Sequence, residues 1–230
     1  MEIVPGLHWI KGLLSNIYLW ASPAGLLLVD TGSWGDASRI RRHLDACGYR
    51  LSDIAAIFIT HADMDHAGNA ARLQAATGAP IIAGQKTATL LQQGRSPQHL
   101  PTIVQFLTDR LFKYPLVAAD DILVVEADQP VPEQEAWLAL ATPGHSPDHM
   151  SFYSPTHGIV FAGDALANRR QQLGVQNDQF LSDPIAARLS AMRLLRLTPA
   201  VLACGHGPPL YGHSAEEIMH LHRRLQAESV

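Results

Sequence analysis

Four apolar runs in this 230-residue chain lead into histidine or aspartate, and no other feature constrains it as much. "IAAIFIT" runs into His61, Asp63, Asp65 and His66. "AWLALAT" leads to "TPGHSPDH" with His145 and His149, "GIVFAG" meets Asp164, and "PAVLACG" meets His206. Short runs of β-branched and apolar residues read as strands, and "IAAIFIT" reads as a strand buried on both faces. The ends of strands, and the loops after them, are held rigidly yet open to a cleft. Imidazole nitrogen and carboxylate oxygen are the usual donors to zinc, iron and manganese. A lone histidine of this kind is most simply an ordinary polar residue. Four strand ends with the same chemistry point to a metal centre.

The remaining sequence alternates strands with helices. "SNIYLW" and "GLLLVDTG" are strands around the turn "ASPAG". "WGDASRIRRHLDACG" has helical spacing, with Ile40, Leu44 and Cys47 on one face and Arg39, Arg41 and Arg42 on the solvated one. Gly48 stops it. "GNAARLQAATG" and "QKTATLLQQG" are helices on either side of the strand "APIIAG". Between residues 94 and 119, Pro97, Pro101 and Pro115 punctuate a helix whose Val104, Leu107 and Leu111 share a face. Phe106, Leu107, Phe112 and Tyr114 are expected to line or cover a substrate pocket there. "DILVV" and "HMSFYS" are further strands, and "GIVFAGD" is expected to end as a strand at Asp164. "DPIAARLSAMRLLRL" is a helix with Pro184 near its start. The final helix has the Ser214 to Glu217 spacing of a capping box. Two strand-rich halves, each with helices, suggest paired sheets with helices outside, forming one domain over residues 1–230.

Composition narrows the function classes. Hydrophobic residues make up 47% of the chain, enough for a sizeable core, and the net charge of −4 carries no basic stripe of the kind nucleic acid requires. Cys47 and Cys204 have no CxxC spacing, so a disulfide framework is not expected and a reducing cytoplasm is. Pro5, Gly6, His8 and Lys11 interrupt the opening segment, so it does not read as a secretion signal. No apolar run approaches the roughly 18 residues of a membrane helix. Ser146 is not set in a GxSxG elbow, which leaves no serine nucleophile to propose.

The motifs "VDTG" (Val29 to Gly32), "THADMDH" (Thr60 to His66), "TPGHSPDH" (Thr142 to His149), "GDAL" (Gly163 to Leu166) and "GHGPP" (Gly205 to Pro209) follow one another in an informative order. In that order the chain resembles the metallo-β-lactamase-fold metallohydrolases, in the style of their glyoxalase II-like and lactonase-like branches. The resemblance implies an α/β (α+β) fold, a four-layer αββα sandwich with the metal site along one edge of its sheets. It implies two divalent metal ions. His61 and His145 would hold the first, with Asp63 in a slot usually filled by histidine. Asp65, His66 and His206 would hold the second, Asp164 would bridge both, and Asp65 would also be the catalytic residue. His149 would stand behind the ligands. Asp30 would orient a ligand histidine, although it reads equally well as a turn former. His8, His43, His99, His157, His213, His220 and His222 match no motif and read as solvated or structural, with His213 near the "GHGPP" loop.

The chemistry implied is hydrolysis of an ester, thioester or lactone in a small-molecule substrate by metal-bound hydroxide. Zinc is the foremost metal. Asp63 adds a hard oxygen donor, which suits manganese or iron as well, and a diiron branch of this fold carries an acidic residue at the same slot. An iron oxidoreductase resembling the persulfide dioxygenases, or a non-catalytic metal-binding protein, are the alternatives.

Overall fold

In a computed structural model, the apolar runs become strands of two seven-stranded sheets. The structure describes residues 1–111, 114–169, 172–213 and 215–227. It divides into two units, one of residues 1–97 and 106–124 and the other of residues 98–105 and 125–230.

The sheet of the first unit takes its strands in sequence order: β1 (Glu2–Val4), β2 (Leu7–Lys11), β3 (Asn16–Ser22), β4 (Gly25–Val29), β5 (Ile54–Phe58), β6 (Ile81–Gly84) and β7 (Ile122–Val125). β1 to β4 form an antiparallel meander, whereas β4, β5 and β6 run parallel. Parallel neighbours need crossovers, and α1 (Asp36–Ala46) and α3 (Ala70–Thr77) lie in them. α2 (Met64–Ala67), α4 (Gln85–Gln93) and α5 (Thr102–Leu111) complete the helices up to that point. Ile40 and Leu44 of α1, Leu73 of α3 and Leu91 of α4 share a core with Leu19, Leu28, Ile57 and Ile81 of the sheet. Each such side chain contributes about 1.5–3 kcal/mol on burial. Only Ala55 of β5 is exposed, as befits a strand covered on both faces.

One sequence expectation changes here. Cys47 is exposed and does not share the buried face of Ile40 and Leu44, because the helix ends at Ala46 and Cys47 is its C-cap. On α5, Val104, Phe106 and Leu107 are exposed and Gln105 is buried. Its Oε1 accepts the backbone N–H groups of His99 and Leu100, each at 3.1 Å, so a polar anchor fixes the start of this helix. The Leu111 side chain and Phe112 lie outside the described residues.

The second unit holds β8 (Gln129–Val131), β9 (Gln134–Ala141), β10 (Met150–Ser154), β11 (Ile159–Arg169), β12 (Gln172–Gly174), β13 (Val201–His206) and β14 (Leu210–Tyr211). Their order is β14-β13-β11-β10-β9-β8, with β12 on the far part of β11. β11 and β13 are parallel and joined through α6 (Pro184–Arg196). Asp183 caps α6, its Oδ1 accepting the N–H groups of Ile185 and Ala186 at 3.0 Å, with Pro184 in the first turn where no N–H is needed. Leu194 and Leu195 of α6, and Ile218 and Leu225 of α7 (Ala215–Ala227), pack with Val160 and Leu202. The Ser214 to Glu217 capping box falls outside the described residues.

β11 also departs from expectation. It does not stop at Asp164 but continues to Arg169, with register shifts against β13 on both sides of Gly163, whose φ is +50°. Asp164 therefore sits at an irregularity within a strand. No helix among the described residues is long and apolar enough to cross a membrane.

Candidate metal centre

In the first unit the key residue is Asp30, directly after β4. It is buried and in the left-handed conformation, φ +58°, which few residues other than glycine accept and aspartate tolerates. That turn aims its carboxylate at the end of β5. Oδ1 accepts the Thr60 N–H at 2.9 Å, and Oδ2 accepts Nδ1–H of His66 at 2.8 Å. The Thr60 hydroxyl lies 2.9 Å from Oδ2 and 3.0 Å from Nδ1 of His61. Its single proton goes to the carboxylate, so its oxygen accepts Nδ1–H of His61. One buried carboxylate thereby fixes the tautomers of two imidazoles, so that Nε2 of each carries the ring's lone pair.

Those Nε2 atoms face carboxylates. His61 Nε2 lies 3.4 Å from Asp63 Oδ2, and His66 Nε2 lies 3.9 Å from Asp65 Oδ2. The two rings are 4.2 Å apart, centroid to centroid, and both are fully buried. Asp63 is the N-cap of α2, where aspartate ordinarily bonds the first free N–H groups. Here the side chain makes no capping bond, and the carbonyl accepts from His66 N at 2.9 Å and Ala67 N at 2.8 Å.

Residues outside the motif clamp this loop. Asn69 Nδ2 donates to the carbonyls of Thr31 and Ser33 at 2.9 and 2.6 Å, and Thr31 N donates to the His66 carbonyl at 2.7 Å. The Ser15 hydroxyl donates to the Asp65 carbonyl. The Tyr114 hydroxyl lies 3.0 Å from the Ala62 carbonyl and 2.6 Å from that of Arg95. Tyr114, expected to line or cover a substrate pocket, is a core residue of this unit: its ring joins the apolar cluster while its hydroxyl meets two carbonyls. Thr31 had a sequence signal in "DTG". Ser15, Asn69 and Tyr114 had none.

In the second unit the carboxylate of Asp164 is the hub. Its Oδ2 lies 3.0 Å from Nε2 of His206, at the end of β13, and 3.5 Å from Nε2 of His145. Gln176 Nε2 donates to the same oxygen. His149 acts from behind: its Nε2 accepts the Asp164 backbone N–H at 2.9 Å, so its Nδ1–H donates to Thr142 Oγ1 at 2.8 Å. Both ring nitrogens of His149 are thereby engaged with protein, and it fixes the backbone of Asp164. Gly144, φ +129°, shapes the loop before His145; a Cβ there would lie 2.1 Å from Ala187 N, so no other residue fits. His99, read as solvated or structural, is buried and packs edge-on against His145 with ring centroids 4.7 Å apart. Burial, and then the charge of Asp164, push the Cys204 thiol upward, which keeps it a thiol. His213 faces the carbonyl of Pro199 at 3.1 Å.

Each unit's donors suit a divalent metal. Donors at about 2.0–2.2 Å from one tetrahedral ion lie roughly 3.3–3.5 Å from each other, close to the 3.4 Å of His61 to Asp63 and the 3.5 Å of His145 to Asp164. In the first unit, neutral imidazoles would turn lone pairs toward carboxylates, and two imidazolium rings so close and buried would repel. A cation among these donors relieves both conflicts.

The sequence pattern of the Metallo-beta-lactamase superfamily matches residues 10–206, and the chain belongs to that superfamily. A probable metallo-hydrolase of Bacillus subtilis, YflN, is 23% identical over 98% of this chain and 93% of its own length. The hydroxyacylglutathione hydrolase GloC of Haemophilus influenzae is 25% identical over 90% of each chain. Among solved structures, a Cronobacter sakazakii metallo-beta-lactamase with a HARLDQ motif superposes with a TM-score of 0.69 at 25% identity, covering 89% of this chain and 79% of that one. The two-sheet mixed fold is thus of the metallo-β-lactamase type, and the broad class is that of metal-dependent hydrolases.

Proposed function

We propose that the chain is a dinuclear metallohydrolase that opens an ester, thioester or lactone bond in a small molecule. The observation that carries this reading is the pair of buried imidazoles, His61 and His66, whose Nδ1 atoms are tied back through Thr60 and Asp30 so that both Nε2 atoms face carboxylates. The hydroxyacylglutathione hydrolase among the relatives supports a thioester or related acyl bond. Residues 1–230 act as one domain in this reading. His61, Asp63 and His145 hold one ion; Asp65, His66 and His206 hold the other; Asp164 is shared. Zinc is foremost, with manganese or iron admitted by the oxygen-rich set. When bound, the ions supply Lewis acidity and lower the pKa of water toward about 7.

The chain's own residues do the rest. Asp30 and Thr60 hold the tautomers of His66 and His61, and His149 pins the backbone of Asp164. Asp65 is the catalytic residue, its carboxylate taking the proton that the attacking water gives up. The free thiols of Cys47 and Cys204 suit a reducing cytoplasm. Asp63 tunes the choice of metal. The third position of HARLDQ in the Cronobacter relative is arginine, so this position varies among similar proteins.

The test is metal analysis of protein purified without added metal, with a panel of lactones, thioesters and phosphodiesters and a parallel measurement of oxygen uptake. The expected result is bound divalent metal and hydrolysis that chelation removes. Hydrolysis indifferent to chelation would sink the reading, and oxygen uptake with bound iron would replace it with an oxidoreductase. Asp63→His should raise zinc content relative to manganese and iron. Unchanged ratios would remove Asp63 from the ligand set.

A further inference from the structure

We propose that His8, His43 and Cys47 form an additional metal site that takes a zinc-like divalent ion. The site lies wholly within the first unit, on β2 and the C-terminal end of α1, neither of which carries a motif residue. His43 and Cys47 stand four positions apart, which places both donors on the same side of the helix end. His8 comes to them from β2. Cys47 Sγ lies 3.7 Å from His43 Nε2 and 3.8 Å from His8 Nδ1, and one donor atom from each of the three falls within 4.8 Å of the others. The two imidazole rings meet edge to face with centroids 5.1 Å apart.

These distances are informative. A thiol has one proton and can give it to only one of two converging imidazole nitrogens. Around a tetrahedral zinc, with Zn–S about 2.3 Å and Zn–N about 2.05 Å, a sulfur and a nitrogen donor stand roughly 3.6 Å apart. The observed separations are within about 0.2 Å of that value, so a metal can enter with little rearrangement. One sulfur and two imidazoles favour zinc and its chemical neighbours over magnesium or calcium. Cys47 is exposed, which gives an ion a route in from solvent and leaves a fourth position for water. Bound there, the ion would fasten the end of α1 to β2.

The full chain, reduced and free of metal, is titrated with cobalt(II), the spectroscopic stand-in for zinc. The chain's other thiol is Cys204, so a thiolate-to-cobalt absorption band that survives Cys204→Ala reports this cluster. The expected result is a band that is lost in Cys47→Ala, weakened at least about tenfold in affinity in His43→Ala, and retained in both Cys204→Ala and Asp164→Ala. Hydrolysis should be unchanged in Cys47→Ala, and zinc should raise the Tm of the wild type more than that of Cys47→Ala. Cys47 is exposed, so its loss leaves the fold intact. No band in the wild type, a band that survives Cys47→Ala, or a band lost in Cys204→Ala would each overturn the proposal.

Discussion

The two units organise the same chemistry in opposite ways. In the first, the proposed metal donors fall within residues 61–66, on the loop after β5 and the start of α2, and a buried carboxylate behind them, Asp30, orients both imidazoles. In the second, His145, Asp164 and His206 come from three segments, and the carboxylate itself is the hub on which the others converge. A loop can be oriented from behind because its members move together. Donors from separate strands must be fixed one by one, and here His149 and Gln176 share that task around Asp164. Asp164 in the second unit should therefore matter as a donor, and Asp30 in the first as an organiser.

The largest effect that follows is for Asp164→Ala. It removes the oxygen that faces His145, His206 and Gln176, so hydrolysis should fall by more than about 100-fold, beyond what loss of an orienting group causes. Metal content should fall with it. The strands do not depend on this side chain, and circular dichroism should be unchanged. Full activity with full metal content would remove Asp164 from its place as hub.

Asp30→Asn should come next. The amide keeps the volume but replaces one acceptor with a donor, so either the Thr60 N–H, on Oδ1, or Nδ1–H of His66, on Oδ2, loses its partner. Metal affinity should drop about 10–100-fold, the usual range for a group that orients a ligand. Metal titration of the two variants side by side sharpens the contrast. If Asp30→Asn costs as much as Asp164→Ala, organiser and donor are not distinct roles, and the comparison of the units fails.

The same contrast explains what could be read from the sequence. "HADMDH" was legible because its donors are contiguous, and the strands and helices were legible from their periods. The dispersed set became legible only through the order of several motifs. The supports were not legible: Ser15 reaches Asp65 across 50 residues and Tyr114 reaches Ala62 across 52, separations over which local pattern carries no information. His99 beside His145 and the cluster of His8, His43 and Cys47 belong to the same kind. On α5 the helix itself was legible, but not that Val104, Phe106 and Leu107 would be exposed. Periodicity identifies a face, and only packing decides whether that face is covered.

The smallest effect belongs to Tyr114→Phe, and it separates support from chemistry in the first unit. The ring lies in the apolar core and would be retained, so only the hydroxyl bonds near Arg95 and Ala62 are lost. A buried hydrogen bond of this kind contributes about 1 kcal/mol, which for a chain of this size is a fall in Tm of roughly 2–4 °C. The Ala62 carbonyl sits between His61 and Asp63, so the loop should loosen slightly, with hydrolysis reduced by less than about threefold, since under 0.7 kcal/mol or so would reach the transition state. Thermal melts and initial rates on the same preparation decide the matter. A rate loss above tenfold with an unchanged Tm would return Tyr114 to the substrate pocket, where the sequence alone had placed it, and would show that the loop is not held by its core-side support.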